Sequence, residues 1–127
     1  MVKATRLPVD EVVRIDTQRL GDIIRELGEP AARSMIGLSL EQLSAGLSSL
    51  SEAALAGDMV QVERIADRLS RDAWQIGMVT LSAVAVHAAD CARHDDRPAV
   101  SAVLARLYRV AAQSLREIWG KGGDTDG

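Results

Sequence analysis

Apolar residues recur at helical spacing along most of the chain, and the periodic stretches are separated by glycine, proline and aspartate. From Asp16, the residues Leu20, Ile23, Ile24 and Leu27 share one helical face, with Asp16 at a capping position and Gly28 as the stop. Pro30 suits the first turn of a second helix, where its missing N–H has no partner to lose. That helix carries a 4-3-4-3 seam of Ile36, Leu40, Leu43, Leu47 and Leu50, the spacing that packs in helical bundles, and ends at Gly57. Gly37, Gly46 and six serines weaken its intrinsic propensity, so it must be held by its neighbours. A third helix starts at Asp58, with Gln61 three residues on as in a capping box. Its predicted stripe is Val62, Ile65, Ala66, Leu69, Ala73 and Ile76, and Gly77 breaks it. A fourth helix points Leu81, Val84, Ala88 and Cys91 inward. After a turn at residues 94–98, with Asp96 as cap, a fifth helix uses Val100, Val103, Leu104, Leu107, Val110, Ala111, Leu115 and Ile118.

The short connections imply antiparallel neighbours, so the reading is all-α: an up-down antiparallel four-helix bundle with an additional N-terminal helix covering one end or side. Residues 1–14 are expected to be an arm or weak helix and residues 15–119 the bundle. Residues 120–127, polar and glycine-rich, read as a disordered tail.

Composition agrees with this. Of the 127 residues 47% are hydrophobic, mainly helix-forming Ala and Leu with Val, and only 2% are aromatic. The length suits one domain that buries most of its apolar surface unaided. A net charge of −3 with both signs interspersed gives no footprint for nucleic acid. The single cysteine, Cys91, excludes an internal disulfide. The apolar run at residues 78–89 is broken by Thr80, Ser82 and His87 and falls short of the ~20 residues of a membrane span. The N-terminal stretch has no apolar signal-peptide core, so a cytoplasmic location is expected.

The stretch Ala66-Asp67-Arg68-Leu69-Ser70-Arg71, with Gly77 ten residues after Asp67, resembles the centre of a histidine-containing phosphotransfer (HPt) domain. That family carries an Ala-His-x-Leu-Lys-Gly core with a further glycine ten residues after the histidine. The resemblance spans roughly residues 13–119. It is also carried by Ile15-Asp16, Leu27-Gly28, Ala56-Gly57-Asp58, Ile76-Gly77 and Leu81. It implies the five-helix architecture and a third-helix face that meets receiver domains. This chain departs from the pattern where the chemistry lies: Asp67 stands at the histidine position, Ser70 at the lysine and Arg71 at the glycine. A carboxylate does not replace an imidazole in such a relay. The resemblance therefore implies a non-enzymatic docking protein, acting on a response-regulator receiver domain or a histidine kinase as decoy, adaptor or regulator.

The expected partner-binding residues are Glu63, Arg64, Asp67, Ser70, Arg71 and Trp74. At 100° per residue, Asp67 lies ~150° from the buried stripe and faces solvent. The plainer reading makes it a surface residue paired with Arg71 or Arg64. Trp74, seven residues on, shares that face with Val60, either as a binding anchor or covered by the first helix. His87, Cys91 and His94 stand at i, i+4 and i+7, but ligands strung along one straight helix rarely converge on one ion, so neither metal nor other cofactor is expected. Two further readings stay open: phosphotransfer through a relocated His87 or His94, and a structural bundle that self-associates. The chain is otherwise expected to be a monomer or weak dimer.

Overall fold

A computed structural model describes the backbone of residues 11–126 and the side chains of residues 11–118. Residues 1–10 of the predicted arm lie outside the described residues. The chain forms helices α1 (Thr17–Leu27), α2 (Glu29–Leu55), α3 (Met59–Gln75), α4 (Val79–Arg93) and α5 (Arg97–Asp126), with no strand among the described residues. The boundaries follow the capping chemistry. Asp16 accepts from the Arg19 amide at 3.0 Å, Asp58 from that of Gln61 at 3.2 Å, and Asp96 from that of Ala99 at 3.2 Å.

Three corners share one design. Residues 56–58, 76–78 and 94–96 connect α2 to α3, α3 to α4 and α4 to α5. At each, the middle residue has positive φ: Gly57 at 72°, Gly77 at 80° and Asp95 at 54°. The amide after it returns to a carbonyl five residues back, as Asp58 to Ala53, Met78 to Ala73 and Asp96 to Cys91. These are Schellman closures, which reverse the chain within one turn and set successive helices side by side.

Helices α2 to α5 pack in chain order, and α2 and α5 meet along a thinner seam that includes Tyr108 Oη donating to Ser51 Oγ at 3.2 Å. The α3–α4 pair is the closest, because Ala66, Ala73, Ala85, Ala88, Ala89 and Ala92 are small and buried. With 27 residues, α2 outruns the 17 of α3, and α1 folds back against its N-terminal part. The all-α helical bundle expected from the periodicity is therefore present. Its core is filled by Leu43, Leu50, Val62, Ile76, Met78, Val84, Leu107 and Val110.

Two expectations need correction. Cys91 is half-buried rather than inside, since α4 turns its alanines inward instead. Leu115, Ile36 and Leu47 are likewise only partly covered. The α5 backbone is helical to Asp126, past Gly120; glycine weakens a helix by ~1 kcal/mol without forbidding it. The described residues before α1 are extended, with Ile15 bridged antiparallel to Met78. Extended geometry lets them bond to the α3–α4 corner and to α5, as α-helical geometry would not.

Candidate functional site

Helix α3 presents the predicted face, and the spacing of its small residues decides what that face contains. Val62, Ala66, Leu69 and Ala73 point into the bundle, and α4 closes over the flank beside them. Trp74 stays 62% exposed and Val60 63%, so α1 does not cover the tryptophan. Arg64 and Arg71 are exposed as expected.

Asp67 and Glu63 are only half-buried, because they stand at the rim of the α3–α4 contact. Among the described residues Asp67 makes no ion pair with Arg64 or Arg71. The cation that feels its charge is Arg93 of α4. Arg93 Nε donates to Glu63 Oε2 at 2.8 Å and its Nη1 to Asp90 Oδ1 at 2.7 Å. The hydrogen bond to Glu63, then the charges of Glu63, Asp90 and Asp67, raise the pKa of Arg93 above its ordinary value. One guanidinium thus sits among three carboxylates, fixed by two of them.

Ser70 is a correction: it is buried and cannot be a contact residue of this face. At 100° per residue it lies within ~40° of Ala66, on the side that α4 covers. Its hydroxyl donates to the Asp67 carbonyl at 2.7 Å, and its own carbonyl accepts from Ser82 Oγ at 2.9 Å. Ser70 therefore ties α3 to α4.

The α3 sequence alone omits the α4 side of the surface. Arg93 reaches Glu63 and holds Asp90 at the same edge, on an α4 stripe that also carries exposed Val86. The spacing of Val86, Asp90 and Arg93 at i, i+4 and i+7 marks one helical stripe, but only the inter-helix register brings it beside α3.

The other candidates are dispersed or shallow. His87 and His94 are exposed, and His94 Nδ1 lies 2.9 Å from the Asp90 carbonyl. Burial, then Asp96 and Asp90, push the Cys91 thiol up, which disfavours the thiolate. No group of three His, Cys, Asp or Glu among the described residues is arranged to hold a metal ion. An open groove of about 300 Å³ runs between α2 and α3 over Gly46 and Leu69, rimmed by Gln42, Arg68 and Asp72. No described helix is long and apolar enough to cross a membrane.

The α3–α4 surface thus carries an ordered cluster of mixed charge around Arg93 and, about three turns further along α3 from Glu63, an exposed indole. In comparisons with known proteins, no family model, curated protein or solved structure matches the chain.

Proposed function

We propose that this chain is a non-catalytic, HPt-like docking protein of phosphorelay signalling, meeting a receiver domain or a histidine kinase through α3 and the adjoining edge of α4. The observation that carries this reading is the exposure of Trp74, two turns along α3 from Asp67. A large aromatic left in water has lost the burial that would make it core, and tryptophans so placed are enriched as interface anchors. Arg71, Asp67, Arg64 and Glu63 lead away from Trp74 along successive turns of α3, and Arg93 and Asp90 of α4 adjoin the far end at Glu63.

Transfer itself is not expected at residue 67. Its carboxylate offers no imidazole nitrogen, α3 contains no lysine to hold a phosphoryl group, and Arg93 is already engaged by Glu63 and Asp90. The protein would bind where a transfer partner binds and carry nothing away. It acts in a cytoplasmic relay as decoy, adaptor or regulator.

The test is direct. Titrating a panel of receiver domains and histidine-kinase core domains against the protein should give saturable binding to at least one member and no acid-labile phosphoryl label on the chain. Absence of binding across both panels removes the docking reading. Label on His87 or His94 that disappears on mutating that histidine would make the protein an active phosphotransfer protein instead. Concentration-dependent self-association that buries Trp74 would favour a self-associating structural bundle.

A further inference from the structure

We infer that residues 11–16 form a releasable strap, and that its seating sets the geometry of the corner after Trp74 and so gates the α3 face. Helix α4 has no side-chain cap of its own, since Met78 stands at the N-cap. The strap supplies what is missing. The Arg14 carbonyl accepts from the amides of Val79 at 3.1 Å and Thr80 at 3.4 Å, and the Arg14 amide donates to Thr80 Oγ1 at 2.7 Å. Without the strap the Thr80 amide would be an orphan at the helix start, and that of Val79 would keep only the Gly77 carbonyl, at 3.0 Å.

The same segment fastens the end of α3. The Asp16 amide donates to the Gly77 carbonyl at 2.7 Å; just beyond the strap, in the first turn of α1, Arg19 Nε donates to the Gln75 carbonyl at 3.0 Å. Gly77 leaves room for this approach, because a Cβ there would stand 2.9 Å from the Asp16 carbonyl oxygen. The Gly77 amide in turn donates to the Trp74 carbonyl at 3.1 Å, so Trp74 belongs to the turn that the strap closes.

At the outer end, Arg106 donates to both Glu11 carboxylate oxygens, at 3.1 and 3.0 Å, and Gln113 donates to the Glu11 carbonyl. Between these anchors the strap buries little: Val13 and Ile15 are half-covered, while Val12 is 86% exposed. A segment held by polar contacts at two ends, with little apolar burial between, opens locally at lower cost than the core. Seated, it holds Gly77, Met78, Val79 and Thr80; released, it frees the corner that closes α3 and the first turn of α4 together. The strap is independent of any partner, whereas its gating of binding rests on the docking function proposed for α3.

Residue-resolved amide exchange on the full chain tests this with Glu11→Gln and Arg106→Gln, which weaken the outer anchor from opposite sides. The Asp16, Val79 and Thr80 amides should exchange on the order of tenfold faster, with Val84 and Ala88 unchanged. The Trp74 indole resonance, distinguished from that of Trp119 by Trp119→Phe, should shift. Unchanged exchange at those three amides, or equal acceleration at Val84 and Ala88, overturns the strap. Local acceleration with an unmoved Trp74 resonance overturns the gate. Glu11→Gln lies outside every helix, so it reports even where Arg106→Gln perturbs α5. Because no partner enters these measurements, their failure is distinguishable from a failure of docking.

Discussion

Two glycines in α2 carry opposite expectations, though propensity alone treats them alike. A Cβ at Gly37 meets nothing within 4 Å, whereas one at Gly46 would stand 2.8 Å from Leu69 Cδ2. Gly37→Ala should therefore stabilise the protein by up to ~1 kcal/mol through helix propensity and a less free unfolded chain. Gly46→Ala gains the same term but must displace a buried leucine, and overpacking costs ~1–3 kcal/mol, so the net change should be destabilising. Urea midpoints of the two variants check this, and equal stabilisation would mean that α2 and α3 are not in tight contact at Leu69. Glu11 gives a pH-dependent counterpart. The Arg106 hydrogen bond holds its carboxyl below the ordinary 4.5, burial opposes this, and the charges of Arg106 and Arg109 add to the lowering. A carboxyl with a depressed folded pKa contributes fully above its unfolded value and loses that contribution as pH falls through the folded one. The stability difference between wild type and Glu11→Gln should thus be present at neutral pH and close progressively below about pH 4.5. A gap independent of pH would place the effect outside the ion pair.

At the scale of elements, the corners decide the order of packing, and their glycines are not equivalent. Gly57 and Gly77 both have positive φ, which costs a residue with a Cβ ~1–2 kcal/mol. At Gly57 the nearest atom to a new Cβ is Arg97 Nη1 at 3.1 Å, the end of a flexible side chain, but at Gly77 it is the Asp16 backbone. Gly77→Ala should consequently lower stability more than Gly57→Ala and also raise exchange at Asp16 and Val79; reversed order in the unfolding midpoints would contradict the close approach. These glycines, the aspartate caps and the apolar stripes were legible in the sequence because each acts within a few residues. The turn at residues 94–98 was legible too, but not that Asp95 takes the left-handed place which glycine holds at the other two corners. The strap was not legible: Glu11 and Arg106 lie 95 residues apart, and no local pattern announces their pairing. Half of the candidate surface was hidden for the same reason. Periodicity places Trp74, Arg64 and Arg71 on the outside of α3, but it treats α3 as a lone cylinder. The resemblance, with Ser70 at the lysine position, put that residue on the surface, whereas its helical position within ~40° of Ala66 lets the small residues of α4 bury it.

For the whole molecule, the decisive question is whether the exposed face can be changed without changing the fold. Trp74 is well suited to answer it. At 62% exposure it contributes little to the core, and its helix is capped at Asp58 and closed at Gly77 by groups that a side-chain truncation leaves in place. Trp74→Ala should leave the thermal midpoint nearly unchanged while weakening partner binding by ~2 kcal/mol or more, roughly thirtyfold in Kd, if the tryptophan fills a pocket on the partner. The charges around it should behave differently. Arg71 is exposed at the edge of the patch, so Arg71→Glu should act chiefly on the association rate and steepen or invert its salt dependence. Arg93 is bonded to Glu63 and Asp90, so Arg93→Gln should release two carboxylates at once and alter both binding and the α3–α4 contact. The three variants thus separate an anchor, a steering charge and an organising charge by calorimetry, association kinetics and thermal unfolding. If Trp74→Ala lowers the thermal midpoint by several degrees while binding falls only in proportion to the unfolded fraction, the indole supports the fold and the docking surface loses its centre.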